Sequence, residues 1–206
     1  MTDRSGLPRR GLVLGGLAFA LAGCMPAVRQ ATDALAFATP GRPRPDPRFR
    51  RQHVRYDGGE PAGSIVVDTS DFFLYAVEPG GQATRYGVAV GEQGLTLKGR
   101  ATVGRKAEWP AWTPTASMIK RKPHLLEYAG GVAGGENNPL GARALYLYRG
   151  SQDTMFRIHG TNAPWLIGSA VSNGCIRLTN EDIIDLYDRT PLGTKVLVIK
   201  PCRELQ

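Results

Sequence analysis

The sequence predicts a mainly β fold, a mixed β-sandwich or barrel-like domain with two short helices. Short runs rich in β-branched and aromatic residues recur between residues 64 and 199, and Gly, Pro or Asn separates most of them. Only two stretches carry helix-start signals, one at residue 115 and one at residue 179. Many short strands with few helices favour sheets packed around one core over a helical bundle.

Seven runs are predicted as strands because each is rich in β-forming residues or alternates apolar and polar residues: 64–68, 72–77, 82–90, 101–104, 145–148, 154–159 and 195–199. The turn sequence at 78–81, Glu-Pro-Gly-Gly, predicts a hairpin between the second and third runs. The Gly-containing stretches 91–99 and 130–141 are predicted as loops.

Both helices are predicted from their ends. Thr115 is a typical N-cap residue, and Pro123 would stop the helix that follows it. Thr179 is the cap of the second helix, and Asp182 stands at the third position of a weak capping box. An apolar stripe at helical spacing follows Asp182, so this second helix is expected to pack on the sheet.

The chain is predicted to have three parts: a signal peptide at 1–23, a Pro/Arg-rich tether at 24–55 and one folded domain at 56–206. Arg9 and Arg10 precede an apolar run that is too short to span a bilayer comfortably but suits a signal peptide. Residues 21–24, Leu-Ala-Gly-Cys, resemble a bacterial lipobox, which would make Cys24 a lipidated N-terminus. The alternative is an ordinary cleaved signal in which Cys24 has no role.

The positive charge of the chain is concentrated in the predicted tether. The formal net charge is +8, and six arginines fall between residues 42 and 55, where they alternate with prolines. Such a composition predicts extended chain, and its charge would favour anionic headgroups or wall polymers. The domain itself is almost neutral and shows no basic face with interleaved aromatic residues, so nucleic acid is not expected as a partner.

One His and one Cys form the candidate catalytic pair. His159 is predicted at the end of a strand, because Phe156 and Ile158 alternate with it and Gly160 follows. Cys175 follows Asn173-Gly174, a pair that tolerates the positive φ angles of a tight turn.

A cysteine nucleophile needs a base, a group that orients the base, and N–H donors for the oxyanion. His159 would be the base, the carbonyl of Gly160 would orient it, and the N–H groups of Gly174 and Cys175 would form the oxyanion hole. The alternative is that Cys175 is only a small buried apolar residue.

The other cysteines and histidines give no sign of a metal site. Cys24 and Cys202 complete the set of three cysteines, and no Cys-x-x-Cys motif is present. The three histidines lack metal-ligand spacing, so no metal and no cofactor is expected. A disulfide between Cys175 and Cys202 would block the nucleophile, and Cys202 is therefore expected to lie out of its reach.

These residues carry a family resemblance. His159-Gly160, followed by Ser172-Asn173-Gly174-Cys175-Ile176-Arg177-Leu178, resembles the catalytic signature of the L,D-transpeptidase (YkuD-type) family. The stretches 137–142 and 191–194 are also similar to the family, and the resemblance covers about residues 63–201. Asn173 departs from the pattern, since many members carry a second His there.

The resemblance implies acyl transfer on the tetrapeptide stems of peptidoglycan through a thioacyl-enzyme on Cys175. The acceptor would be the amine of another stem or of an envelope protein. The implied location is the periplasm or cell envelope, with a lipid anchor in the membrane. Two alternatives remain open: an L,D-carboxypeptidase or other hydrolase on the same substrates, and a non-catalytic wall-binding lipoprotein.

The resemblance also implies roles for four further residues. Arg177 is expected to contact a substrate carboxylate or to brace the loop, and Ser172 to form hydrogen bonds within the loop. Trp165 is expected to cover the acyl site, and Asn162 to line it.

Overall fold

The computed structural model describes residues 44–92 and 97–199. The strands are β1 (Gln52–Arg55), β2 (Ile65–Asp68), β3 (Phe73–Glu78), β4 (Gln82–Gly87), β5 (Val90–Gly91), β6 (Gly99–Glu108), β7 (Arg143–Arg149), β8 (Gln152–His159), β9 (Ala170–Ser172), β10 (Ile176–Arg177) and β11 (Lys195–Ile199). The α-helices are α1 (Ala116–Arg121) and α2 (Asn180–Arg189), and 3₁₀ turns occupy Pro47–Phe49, Pro123–Tyr128 and Pro164–Leu166. The predicted mainly β fold with two short helices is confirmed.

A nine-stranded mixed sheet forms the body of the molecule, in the order β1-β4-β3-β2-β11-β6-β7-β8-β10, and β5 and β9 pair separately. The pairs β2–β11 and β8–β10 are parallel, whereas the other pairs within this sheet are antiparallel. Parallel neighbours need long crossovers. The crossover from β8 to β10 is the loop between the candidate His and Cys.

The large sheet curls so that its last strand, β10, reaches the continuation of β4, the second strand. Ala89, just beyond β4, exchanges both backbone hydrogen bonds with Arg177 of β10, at 2.9 and 2.8 Å. Strand β10 is the last of the nine, so this contact closes the sheet into the barrel-like form that the sequence predicts. The core lies inside and includes Leu74, Leu145 and Ile158, each 0% exposed.

Helix α2 packs its apolar stripe against this core. Ile183 and Leu186 are 0% exposed, and the Thr179 hydroxyl accepts the N–H of Asp182, as predicted for the cap. Helix α1 has a matching cap, Thr115 to the N–H of Met118, but contains no buried residue. Neither helix in the described ranges is long and apolar enough to cross a membrane.

Regular structure begins before residue 56, inside the segment that the sequence predicts as a tether. Strand β1 pairs antiparallel with β4 along its whole length, and Phe49 is only 9% exposed. Phe49 packs against Phe73 and Ile167 in a second apolar cluster. The sequence pattern did not predict this strand, because arginines and prolines surround it. As an edge strand, β1 also has mostly exposed side chains and so lacks an apolar run. The signal peptide, Cys24, Cys202 and the tether up to residue 43 lie outside the described residues.

Strand β6 is longer than predicted. Gly104 looked like the end of a short strand, but it lies at a register shift between Val103 and Arg105 in the pairing with β7. A Cβ at Gly104 would lie 2.4 Å from the ring of Tyr148, so only glycine fits without displacing that ring. The glycine therefore marks an irregularity within the strand, and pairing continues to Glu108.

Candidate active site

The predicted His and Cys lie on two neighbouring parallel strands. Strand β8 ends at His159, and β10 pairs Ile176 with Ile158 and Arg177 with His159. Ile176 and Ile158 point into the core, with exposures of 1% and 0%. Side chains alternate along a strand, so Cys175, Arg177 and His159 share the opposite face. The loop of residues 160–174 thus returns the chain to the same position on the sheet.

His159 is buried and held by its own backbone neighbour. Its exposure is 3%, and Nδ1 lies 2.6 Å from the carbonyl oxygen of Gly160. A carbonyl can only accept, so Nδ1 carries the proton and Nε2 carries the lone pair. Burial lowers the pKa of His159 to about 3, with the positive charges of Arg177 and Arg157 acting in the same direction. The imidazole is therefore a neutral base at physiological pH.

The thiol of Cys175 is also neutral at rest. Burial raises its pKa, while the backbone N–H of Arg157 and the charges of Arg157 and Arg177 lower it by a smaller amount. A neutral thiol and a neutral imidazole on one face of the sheet differ from a preformed thiolate–imidazolium pair. For a cysteine nucleophile, this state favours base-assisted attack over attack by a preformed thiolate.

Ser172 shapes the turn that presents Cys175. It is 0% exposed, and its Oγ accepts the N–H of Gly174 at 3.0 Å and donates to the carbonyl of Cys175 at 2.5 Å. Gly174 has φ 123°, a conformation that L side chains rarely adopt. The expected hydrogen bonds of Ser172 within the loop are thus present in the structure.

This arrangement changes the predicted oxyanion hole. The N–H of Gly174 was expected to be a free donor, but Ser172 already accepts it. Within the described ranges, no hydrogen bond uses the N–H of Cys175, which leaves that group available. Asn173 has a buried side-chain oxygen without a hydrogen-bond partner among the described residues.

Arg177 lies beside both members of the pair. It contributes to the electrostatic environment of Cys175 and of His159, and burial lowers its own pKa. Its Nε is buried and makes no hydrogen bond within the described part of the chain. A guanidinium with an unpaired Nε–H next to the thiol suits an anionic group of a substrate.

Trp165 and Asn162 lie on the loop between the candidate His and Cys. Trp165 is 50% exposed in the 3₁₀ turn Pro164–Leu166. The Nδ2 of Asn162 donates to the carbonyl of Asn137 at 3.0 Å, which ties this loop to the Gly-rich loop before β7. Asn162 therefore joins two loops, and Trp165 offers an exposed aromatic surface.

Sequence reasoning missed the role of Asn180. This buried first residue of α2 accepts the N–H groups of Ala142 at 3.0 Å and Thr161 at 3.2 Å through Oδ1. A Cβ at Gly160 would lie 2.2 Å from the same oxygen, so a glycine is needed beside His159. The sequence feature that could have indicated this role is a polar residue, Asn180, directly after the Thr179 N-cap of a helix whose first turn is buried.

Within residues 44–92 and 97–199, no group of three or more His, Cys, Asp or Glu side chains is arranged to hold a metal ion. The donors at the candidate site are a thiol, an imidazole and backbone groups, a set typical of acyl transfer.

Comparison with known proteins identifies the family. The family model of the L,D-transpeptidase catalytic domain (YkuD) matches residues 62–198. A protein of Fuscovulum blasticum, named as an L,D-transpeptidase in the ATP synthase subunits region, is 35% identical over 204 residues, covering 97% of this chain and 100% of its own length.

The chain belongs to the L,D-transpeptidase family. The Escherichia coli K12 protein named as L,D-transpeptidase ErfK/SrfK is 38% identical over 142 residues, covering 66% of this chain and 43% of the relative. The chain thus matches less than half the length of that relative. An Enterococcus faecium L,D-transpeptidase structure shares the fold, with a TM-score of 0.51 at 18% identity, covering 68% of this chain and 50% of that one.

A Brucella melitensis structure is 54% identical to this L,D-transpeptidase family member, with a TM-score of 0.51, and covers 75% of this chain and 96% of its own. That structure bears the name of a probable carnitine operon oxidoreductase, which applies to the Brucella protein and not to this chain.

Proposed function

We propose that this chain is a cysteine-dependent L,D-transpeptidase that acts on peptidoglycan tetrapeptide stems through a thioacyl-enzyme. The observation that carries the proposal is the parallel pairing of β8 with β10, which puts Cys175 and His159 on one face of the sheet. The bond from His159 Nδ1–H to the Gly160 carbonyl leaves Nε2 to act as the base. Family membership supports the same chemistry.

In the first half-reaction, the sulfur of Cys175 attacks the carbonyl carbon of the third residue of the stem. The S–C bond forms, and the thiol proton moves to Nε2 of His159. The N–H of Cys175 stabilises the oxyanion. The C–N bond to the terminal D-Ala then breaks, and the imidazolium returns the proton to the departing amine.

In the second half-reaction, an amine of another stem or of an envelope protein attacks the thioester. The new N–C bond forms, the C–S bond breaks, and the amine proton passes through Nε2 of His159 to the sulfur. Arg177, whose Nε–H is unpaired, holds a substrate carboxylate beside the thiol. Trp165 covers the acyl group from the loop, and Asn162 fixes that loop to its neighbour.

Intact-mass spectrometry tests this proposal directly. The full chain is incubated with a disaccharide-tetrapeptide, alongside Cys175→Ala and His159→Ala. We expect an acyl adduct and an amine-exchanged or dimeric product that require Cys175, and an acylation rate lower by roughly 10²–10⁴ without His159. A tripeptide product alone would identify a carboxypeptidase. Absence of adduct and product in the wild type would favour a wall-binding protein.

We also propose that residues 1–23 are a signal peptide and that Cys24 is lipidated, which would place the domain in the cell envelope. The lipobox-like sequence before Cys24 supports this proposal. Mass analysis of the mature N-terminus, compared with Cys24→Ser, tests it. A lipid-sized mass increase and membrane association that both disappear in Cys24→Ser are expected. An unmodified Cys24 would contradict lipidation.

A further inference from the structure

A row of cationic and aromatic side chains crosses the sheet next to Cys175. Arg105 of β6 pairs with Tyr146 of β7, and Tyr146 pairs with Arg157 of β8. The guanidinium carbons of Arg105 and Arg157 lie 3.4 and 4.2 Å from the centre of the Tyr146 ring. The backbone N–H of Arg157 faces the thiol of Cys175. We call Arg105, Tyr146 and Arg157 the arginine–tyrosine row.

The two arginines differ in what neutralises them. Arg157 contacts both carboxylate oxygens of Asp153, at 2.7 and 3.0 Å, so an internal acid already balances its charge. Arg105 is exposed, and no carboxylate within residues 44–92 and 97–199 forms an ion pair with it. Arg105 is therefore the available cation of the row.

Stacking prepares Arg105 for a planar anion. The Tyr146 ring holds the face of its guanidinium, while the N–H donors radiate from the edge of that plane. A carboxylate meets such a fork with two parallel hydrogen bonds, and little side-chain freedom remains to be lost on binding.

We infer that Arg105, held against Tyr146, is a subsite for a carboxylate of the peptide substrate other than its C-terminal carboxylate. This inference rests on the proposed function and names a recognition element for it. The Arg105 guanidinium stacks on Tyr146 of β7, and β7 lies two strands from β10. With about 4.8 Å between neighbouring strands, the guanidinium is roughly 10 Å from Cys175. The C-terminal carboxylate lies within one residue of the attacked carbonyl, about 4 Å, which suits Arg177 instead.

The test measures binding with the chemistry blocked. Cys175→Ala is combined with Arg105→Gln, with Arg105→Lys, or with Arg55→Gln, an exposed arginine of β1 at the far edge of the sheet. The ligands are a synthetic tetrapeptide whose third residue is a diamino acid with a free distal carboxylate, the same peptide with its non-terminal carboxylates amidated, and the same peptide with only its C-terminus amidated. Calorimetry gives each Kd, and thermal melting checks the fold.

We expect Arg105→Gln to weaken binding of the free peptide and of the C-terminally amidated peptide by roughly 10- to 100-fold, the scale of a charged hydrogen-bonded pair. Arg105→Lys should retain part of this affinity, and Arg55→Gln should retain all of it. The peptide with amidated non-terminal carboxylates should bind the Cys175→Ala parent and its three double variants equally. Equal losses on every peptide, no loss in Arg105→Gln, or no binding to Cys175→Ala would each overturn the inference.

The outcomes separate this inference from the proposed function. If binding depends on Arg105 but wild-type protein forms no acyl adduct, the subsite stands and the transpeptidase proposal fails. If the wild type forms the adduct but Arg105→Gln binds every peptide normally, the transpeptidase proposal stands and the subsite inference fails.

Discussion

His159 and Cys175 are both neutral in the resting site. Burial is the largest cause for each, and it favours the uncharged form of both groups. The positive charges of Arg157 and Arg177 favour a thiolate at Cys175 but disfavour an imidazolium at His159. In the proposed reaction, proton transfer and nucleophilic attack should therefore occur together, when the substrate carbonyl accepts the developing charge.

Alkylation of Cys175 should be slow at neutral pH because burial raises its thiol pKa and the thiolate is the reactive form. Mass spectrometry of the peptide that contains Cys175 gives its iodoacetamide labelling rate. At pH 7 the rate should be below that of free cysteine, and it should keep rising beyond about pH 8.5, where free cysteine titrates. Faster labelling than free cysteine at pH 7 would show a preformed thiolate.

Ser172→Ala should lower the acylation rate by tenfold or more. It removes the acceptor of the Gly174 N–H and the donor to the Cys175 carbonyl, both in a buried turn. Rapid-quench mass analysis of acylation measures the effect. Ser169→Ala is the matched control, since Ser169 Oγ also donates to a carbonyl, that of Leu166, on the same loop. Equal effects of the two changes would assign Ser172 to general loop stability.

Strand β1 and the 3₁₀ turn before it are parts of the domain, although their composition resembles a tether. Phe49 supplies the reason, because its ring packs 5.5 Å from the ring of Phe73, centre to centre. Gly87 and Gly168 both approach it so closely that a Cβ at either would meet Phe49 atoms at 2.4 and 2.1 Å. Phe49 thus joins the edge of the sheet to the loop between His159 and Cys175.

Phe49→Ala should lower the free energy of unfolding by about 2–4 kcal/mol, since it removes a large side chain from an apolar cluster at the sheet edge. Urea denaturation measures the change. Phe49→Leu should cost less, and Arg50→Ala, an exposed neighbour, should change stability little. Equal stability of Phe49→Ala and wild type would show that this segment belongs to the tether and not to the folded domain.

The closed sheet buries ionisable groups whose titration links stability to pH. His159 has a folded pKa of about 3 against 6.5 in the unfolded chain, so only the unfolded state gains a proton as pH falls through 6.5. Stability from this group is present above pH 6.5 and declines towards pH 3. Asp182 acts oppositely, because burial raises its pKa from 3.8 to about 6 and its folded form binds the proton first.

We therefore expect the stability of His159→Gln, relative to wild type, to improve by about 2–3 kcal/mol between pH 7.5 and pH 4.5. Denaturant titrations at several pH values measure this difference. Asp182→Asn is the control of opposite sign, since its stability relative to wild type should decrease over the same range. Parallel curves for wild type and His159→Gln would show that the imidazole titrates normally.

The sequence by itself determined the fold class, both helix caps, the end of β8 at His159 and the turn at Gly174. These features depend on local chemistry: alternation of side chains, hydroxyl groups that accept the first N–H groups of a helix, and a residue that tolerates positive φ. The pairing of a His with a Cys at the ends of a Gly-rich loop could also be predicted from the residues alone.

Only the tertiary structure decided what surrounds these residues. Ser172 accepts the N–H of Gly174, Asn180 accepts an N–H of the loop after His159, and Arg105 stacks on Tyr146. Each contact joins atoms whose positions depend on the register and closure of the sheet. The raised thiol pKa and lowered imidazole pKa have the same origin. Burial is a property of the assembled molecule, because it is created by residues far apart in the sequence.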